Sequence, residues 1–316
     1  MIQQLRSISM VLAFALGAIF HEEIAPFIWW MPYGIGLMLS ITFIGIDLHK
    51  LKPTWMHLWL LLAIQVMGIG TWLLVRAAGY PVLAESLYYC AAAPIASASP
   101  IIVNLLRGNV EFSTTAMVLS QVAFALVTPF VLPVVVHDPS LSYMSLAGVV
   151  AMQILTVLGA PALIALCLRV AYPPCRHWAA KLRDFSLGIW VVNLLVVSAA
   201  GTQRIVVMGY SLHDMWPMIA GAAIVCAVGF IAGYWLGYPA LKRECSQGLG
   251  QKNTVLTLYM ASQSYATPLA YIGPVFYVFC HNTANAIQLA LAAREQRHTS
   301  QSAGENLGQD GGEQRV

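Results

Sequence analysis

Apolar residues run along this chain in blocks of about twenty, with short polar segments between them. Inside the blocks they do not alternate with polar residues. At the rise of an α-helix, such a block matches the hydrocarbon core of a bilayer. The pattern predicts about ten transmembrane helices. They run Ile8–Phe20, Phe27–Asp47, Trp55–Leu74, Val82–Leu106, Phe112–Val136, Leu146–Ala171, Phe185–Ala200, Met215–Leu241, Asn253–Ile272 and Val275–Ala293. The first and seventh are short. The tail from Arg294 is rich in Gln, Gly, Ser and Glu, a composition that predicts disorder. The expected organisation is therefore two five-span halves, 1–138 and 139–295, followed by a cytoplasmic tail, 296–316. An inverted five-plus-five repeat fits this count.

Two interruptions stand out. The first is Ala93-Pro94-Ile95-Ala96-Ser97-Ala98-Ser99-Pro100, in the fourth span. Pro94 and Pro100 each remove a backbone donor, and Ser97 and Ser99 offer hydroxyls to freed carbonyls or to a ligand. The second is Gly248-Leu249-Gly250-Gln251-Lys252-Asn253, just before the ninth. Matched breaks in corresponding places of two halves point to the binding site of a secondary transporter. An ionisable residue at membrane depth points to function, and Lys252 is such a residue. The competing readings are a packing kink for the first break. For the second, the alternative is a cytoplasmic loop with Lys252 snorkelling to the interface.

Composition narrows the class. Hydrophobic residues make up 59% of the chain, charged residues 9%, and mean hydropathy is +0.72, so lipid is the solvent. Long non-alternating blocks select helices over a barrel. A net charge of +3 gives no footprint for nucleic acid. The six cysteines, Cys90, Cys167, Cys175, Cys226, Cys245 and Cys280, form no CxxC pair or Cys/His cluster, so no metal site is predicted. No paired carboxylates, nucleophile–base set or cofactor loop appears, so neither an enzyme nor a cofactor is expected.

Lys and Arg are unequally shared between the two sides. One side collects Arg6, Lys50, Lys52, Arg107, Arg169, Arg176, Lys181, Arg183, Lys242, Arg243, Arg294, Arg297 and Arg315. The other has Arg76 and Arg204. The positive-inside rule then places both termini in the cytoplasm of a multi-pass cell (inner) membrane protein.

Read in order, several segments resemble the bile acid:sodium symporter family. That family belongs to a superfamily with arsenite exporters and auxin-type carriers. The resemblance is carried by Cys90–Ser113, ending in Leu106-Arg107-Gly108-Asn109-Val110-Glu111-Phe112-Ser113, by Thr128-Pro129, by Gln251-Lys252-Asn253 and by His281-Asn282. It implies a panel domain and a core domain, with the fourth and ninth spans discontinuous and crossing. It also implies alternating access, with a small organic anion as substrate. By the family pattern the substrate contacts are Ser97, Asn253 and Asn282, and the helix breaks carry Pro94, Pro100, Gly248 and Gly250.

The chain departs from this family at the sodium sites. The acidic residue of the ninth-span motif falls on Gly248, and the glutamine of its Gln-Asn pair falls on Lys252. The fourth-span asparagine falls on Pro100, and a fifth-span threonine falls on Met117. Ser99, Ser113 and Gln65 remain. Sodium is a hard cation and needs oxygen ligands, so a carboxylate lost and an ammonium gained argue against it. The expectation is that Lys252 takes the place of the bound sodium, donating to serine hydroxyls, Gln65 or unwound carbonyls. Such a lysine makes transport sodium-independent, or couples it to protons if it releases its own. The alternatives are a conventional sodium:organic anion symporter, an arsenite-type exporter using Cys90, and a non-transporting membrane sensor.

Overall fold

The computed structural model describes residues 2–136, 142–263 and 266–310, which are mostly helical, with no strand among them. The helices are α1 (Ile2–Ile19), α2 (His21–Gly45), α3 (Trp55–Ala77), α4 (Pro81–Ala91), α5 (Ser99–Leu105) and α6 (Val110–Val136). They continue with α7 (Tyr143–Ala171), α8 (Arg183–Met208), α9 (Leu212–Leu236), α10 (Lys242–Gly250), α11 (Thr254–Gln263) and α12 (Ile272–Asp310). Six of them are long and apolar enough to cross a membrane: α2, α3, α6, α7, α8 and α9. Several such helices fit a multi-pass membrane protein. The point expected to divide the two halves, 138/139, lies outside the described residues, as do Met1, Ser264, Tyr265 and the end of the tail, 311–316.

Packing sorts the helices into two groups. In one, α1 lies on α8, and α2 lies on both α7 and α8. In the other, α3 to α6 and α9 to α12 pack on one another, with α9 against α10, α4 and α12. The groups touch where α6 meets α7 and where α2 and α8 meet α11. One large apolar cluster bridges them, including Phe14, Met31, Tyr89, Phe124, Leu194 and Leu256.

α9 and α10 approach closely, and glycine makes this possible. Gly229, Gly233 and, at the end of the helix, Gly237 recur every fourth residue on one face. A Cβ added at Gly229 would come within 2.8 Å of the Leu249 carbonyl oxygen. One at Gly233 or Gly237 would strike the carbonyls of Cys245 or Leu241. Small residues at helical spacing let two backbones touch.

Several expected boundaries move. The segment expected as the fourth span forms two short helices, α4 and α5, with an interruption at the expected place. In the segment expected as the ninth, a helix begins at Lys242 and not at Asn253, and α9 ends at Leu236 instead of Leu241. Lys242-Arg243-Glu244 reads as a loop, but Arg243 donates to Leu106 O (2.6 Å) and Glu244 accepts from the Asn109 N–H, so these charges tie α10 to the segment after α5. Gly248 lies inside α10 and does not break it, while Gly250 is its last residue. A Cβ at Gly248 would meet Leu60 at 2.8 Å, and one at Gly250 would strike the Phe230 ring, so both serve close packing. Pro100 occupies the first turn of α5, where a missing N–H costs nothing, so it starts a helix. The seventh span runs past Ala200 to Met208, because Gln203 and Arg204 continue the helix until Gly209 takes a left-handed conformation (φ 68°). The tail is helical in its backbone as far as Asp310.

The glycine seam makes a direct prediction. Gly233→Ala should destabilise the protein by about 1–3 kcal/mol, because backbone cannot yield as a side chain can. Gly70→Ala, where no atom lies within 4 Å, should be neutral or stabilising by up to about 1 kcal/mol. Thermal unfolding of the two variants in detergent checks this, and equal effects would contradict it.

Candidate functional site

The site grows out of two helices that stop in the middle of the second group. α4 ends at Ala91 because Pro94 follows, and proline bars the residue before it from helical geometry. The chain then runs without helical bonds to Ser99, whose N–H donates to Ala96 O (2.9 Å) as α5 begins. α10 ends at Gly250, where the Gly250 carbonyl accepts from the Tyr277 hydroxyl (2.9 Å). After Gln251-Lys252-Asn253, α11 starts, with the Asn253 side-chain oxygen accepting from the Leu256 N–H (3.4 Å) as a cap.

The two breaks bond to each other. The Ala96 N–H donates to Gln251 O (3.0 Å), and the Asn253 N–H donates to Pro94 O (2.8 Å). Ile95 and Lys252 thus lie opposite one another in a single antiparallel bridge. Both bonds come from flanking residues, so this is a non-hydrogen-bonded pair, whose side chains sit close together. The peptide groups of Ile95 are served from α6. Its N–H donates to Ser120 Oγ (3.0 Å), and its carbonyl accepts from Gln121 Nε2 (3.2 Å).

Lys252 is treated differently. Its side chain is 1% exposed, and its Nζ has no hydrogen-bond partner among the described residues. Apolar clusters close in on both sides of the crossing. One holds Leu60, Ile64, Ile95, Phe112, Met117 and Leu249, and the other holds Leu87, Cys90, Cys226, Phe230 and Tyr277. A buried ammonium without a partner is among the most costly groups a fold can carry. Other unpaired polar atoms share this part of the structure. The side-chain oxygens of Gln121, Gln247 and Gln251 are buried acceptors without donors.

The residues expected at the site separate. Ser99 and Ser113 are both buried, with their hydroxyls 3.5 Å apart. Met117 sits in the apolar cluster near them. Gln65 is half-buried on α3 and makes no hydrogen bond to Lys252, Ser99 or Ser113. Ser97 is half-buried in the first break, and Pro94 supplies a carbonyl to the crossing. Asn253 is at the crossing, and its carbonyl side-chain oxygen is used as a helix cap. Asn282 donates to Val278 O (2.7 Å) on its own helix, the arrangement of a structural asparagine. His281 packs edge-on against Tyr277, and its Nδ1 has no partner.

Sequence reading overlooked Ser120, Gln121, Tyr277 and the buried set in which Gln247 donates to Asn285 (2.9 Å) and Gln288 (2.7 Å). The signal was present. Ser120-Gln121 is an adjacent polar pair inside a long apolar block, which lipid tolerates only when both groups face protein. No group of three or more His, Cys, Asp or Glu among the described residues could hold a metal ion. The chain matches no protein-family model, and no curated protein matches it.

Lys252→Met should raise stability by about 1–4 kcal/mol, because it removes a buried, unpaired charge while keeping the volume. A higher unfolding temperature is the expected result. A fall would mean that the ammonium has a partner.

Proposed function

We propose that the protein is a secondary transporter of a small organic anion, similar to the bile acid:sodium symporters, in which Lys252 takes the place of the bound sodium. The observation that carries this reading is the unpartnered Lys252 ammonium at the point where two interrupted helices bond to each other. In this reading the chain has about ten spans in an inverted repeat, with α4–α5 and α10–α11 as the discontinuous pair. The group of α1, α2, α7 and α8 is the panel, and the other group is the core.

The chemistry follows from charge. In an apolar site a fixed ammonium attracts a carboxylate or sulfonate far more strongly than in water. The N-terminus of α11 opens at the crossing and adds a partial positive charge. The core carries the site, and the contacts of α2 and α8 with α11 are the surface along which the panel would move. A cation beside Lys252 would be repelled. Ser99 and Ser113 keep two oxygens of a sodium site, and that pair is the observation favouring the conventional sodium symporter.

Uptake by proteoliposomes distinguishes the two. Challenged with mono- and dicarboxylates and with taurocholate, in sodium or in choline, the wild type should transport equally well in both cations. Lys252→Gln should lose on the order of 30-fold or more, as losing a buried charge contact worth at least about 2 kcal/mol implies. Sodium-dependent uptake that Lys252→Gln leaves intact would overturn the proposal.

A further inference from the structure

Glu85 is a buried carboxylate that the crossing does not use. It is 4% exposed and has no Lys, Arg or His within ion-pair distance among the described residues. Its oxygens accept two bonds from one residue. The Thr267 N–H donates to Oε1 (3.0 Å), and the Thr267 hydroxyl donates to Oε2 (2.7 Å). Thr267 precedes the 3-10 turn Pro268–Tyr271 that leads into α12, so this carboxylate fastens the segment before α12 to α4. The start of α12 is held next door, where the Gly273 N–H donates to Ser86 Oγ (3.1 Å).

The position suits a proton. Glu85 is four residues into α4, about 6 Å along the axis from Pro81 and the exposed turn at Gly79-Tyr80. That end of the bundle carries Arg76, and the charge rule assigns it to the outside. Further along the same face, four residues on, is Tyr89, whose hydroxyl is buried, unpartnered and within electrostatic reach of the carboxylate. α4 then ends at Ala91, beside the crossing.

We propose that Glu85 is the proton-binding site of the transport cycle and that Thr267 passes its state to the turn that leads into α12. The idea rests on the transport reading above and names its coupling ion. A carboxylate holds two charge-assisted bonds, which are about twice as strong as neutral ones. A proton taken from water on the Arg76 side neutralises the group and weakens both. The segment 266–271 then loosens, and release of the proton restores it.

Other charged or titratable groups on the elements packed against α4 do not replace it. Arg76 of α3 is exposed over Trp72, and His213 and Asp214 of α9 are exposed in its first turn. Glu111 of α6 is exposed at that helix's start. Tyr271 of the 3-10 turn lies under Arg204. Cys226 of α9, Tyr277 and Cys280 of α12 belong to the thiol-lined apolar cluster, and Tyr259 lies on α11 beside α2. Of the buried histidines, His57 of α3 stacks on Phe112 and bonds its carbonyl, and His281 of α12 packs edge-on against Tyr277.

Two readouts test the proposal without a known substrate. Infrared difference spectra on acidification should show a protonated-carboxyl band that Glu85→Gln lacks and Thr267→Val shifts. Hydrogen exchange of 266–271, corrected for its intrinsic pH dependence, should rise severalfold on acidification in the wild type and stay flat in Glu85→Gln. If Glu85→Gln does not fold, Thr267→Val keeps the amide bond and should show a reduced rise. In proteoliposomes loaded with the carboxylates named above, an inward proton gradient should stimulate wild-type uptake several-fold and Glu85→Gln uptake not at all. A wild-type 266–271 segment that ignores pH, or a Glu85→Gln variant that keeps its pH response or its gradient stimulation, overturns the proposal. Loss of uptake in Lys252→Gln alongside those results would leave the transport reading standing. Absence of uptake under every condition, with the carboxyl band intact, would instead sink the transport reading.

Discussion

Two backbone hydrogen bonds, from Ala96 to Gln251 and from Asn253 to Pro94, hold the centre of this protein together. A helix that stops leaves carbonyls and amides without partners. In apolar surroundings no water answers for them, and each unmet group costs several kcal/mol. Here each break supplies what the other lacks, so neither helix can be interrupted alone. The rest of the second group is arranged around that requirement. Ser120 and Gln121 serve the peptide groups of Ile95, and Tyr277 holds the Gly250 carbonyl. The glycines of α9 bring α10 close enough for its end to reach the crossing.

Against that background Lys252 is the exception. Natural folds pair their buried polar groups, and departures concentrate at functional sites. The crossing pairs its backbone groups but leaves this amine, and the side-chain oxygens of Gln121 and Gln251, without partners among the described residues. An apolar wall encloses it, and the glutamine oxygens at the crossing accept nothing from it. This is what an interior prepared for an anionic visitor would look like, and it is a poor place for a cation. Glu85 has the opposite sign and stands near the other end of α4, tied to Thr267 ahead of α12. In the proposed reading, the lysine at the break and this carboxylate are the two charges of a proton-linked anion carrier.

Much of this could be read from the residues. Blocks of apolar residues gave the helical class, and Pro94 and Gln251-Lys252-Asn253 marked both breaks. The boundaries of the ninth span could not be read, because Lys242-Arg243-Glu244 has the composition of a loop. Its burial depends on partners more than a hundred residues away, at Leu106 and Asn109. Gly248 and Gly250 looked like breakers for a similar reason. Nothing local shows that Leu60 and Phe230 press on them. The spacing of Gly229, Gly233 and Gly237 was legible as a packing face and was passed over. At the site, Asn253 and Asn282 carry the right groups, but a cap and a back-bond within one helix depend on rotamers that sequence does not encode. Glu85 was a lone carboxylate inside an apolar block, and only the fold reveals Thr267 beside it.

The central claim is that Lys252 occupies the charge position of a bound cation. Thermal unfolding of the purified protein, as sodium replaces choline at constant ionic strength, tests it most directly, since an ion that binds only the folded state raises stability with its concentration. The account predicts no sodium-specific shift. A saturating rise with sodium, shared by Lys252→Gln, would contradict it and restore ordinary sodium symport.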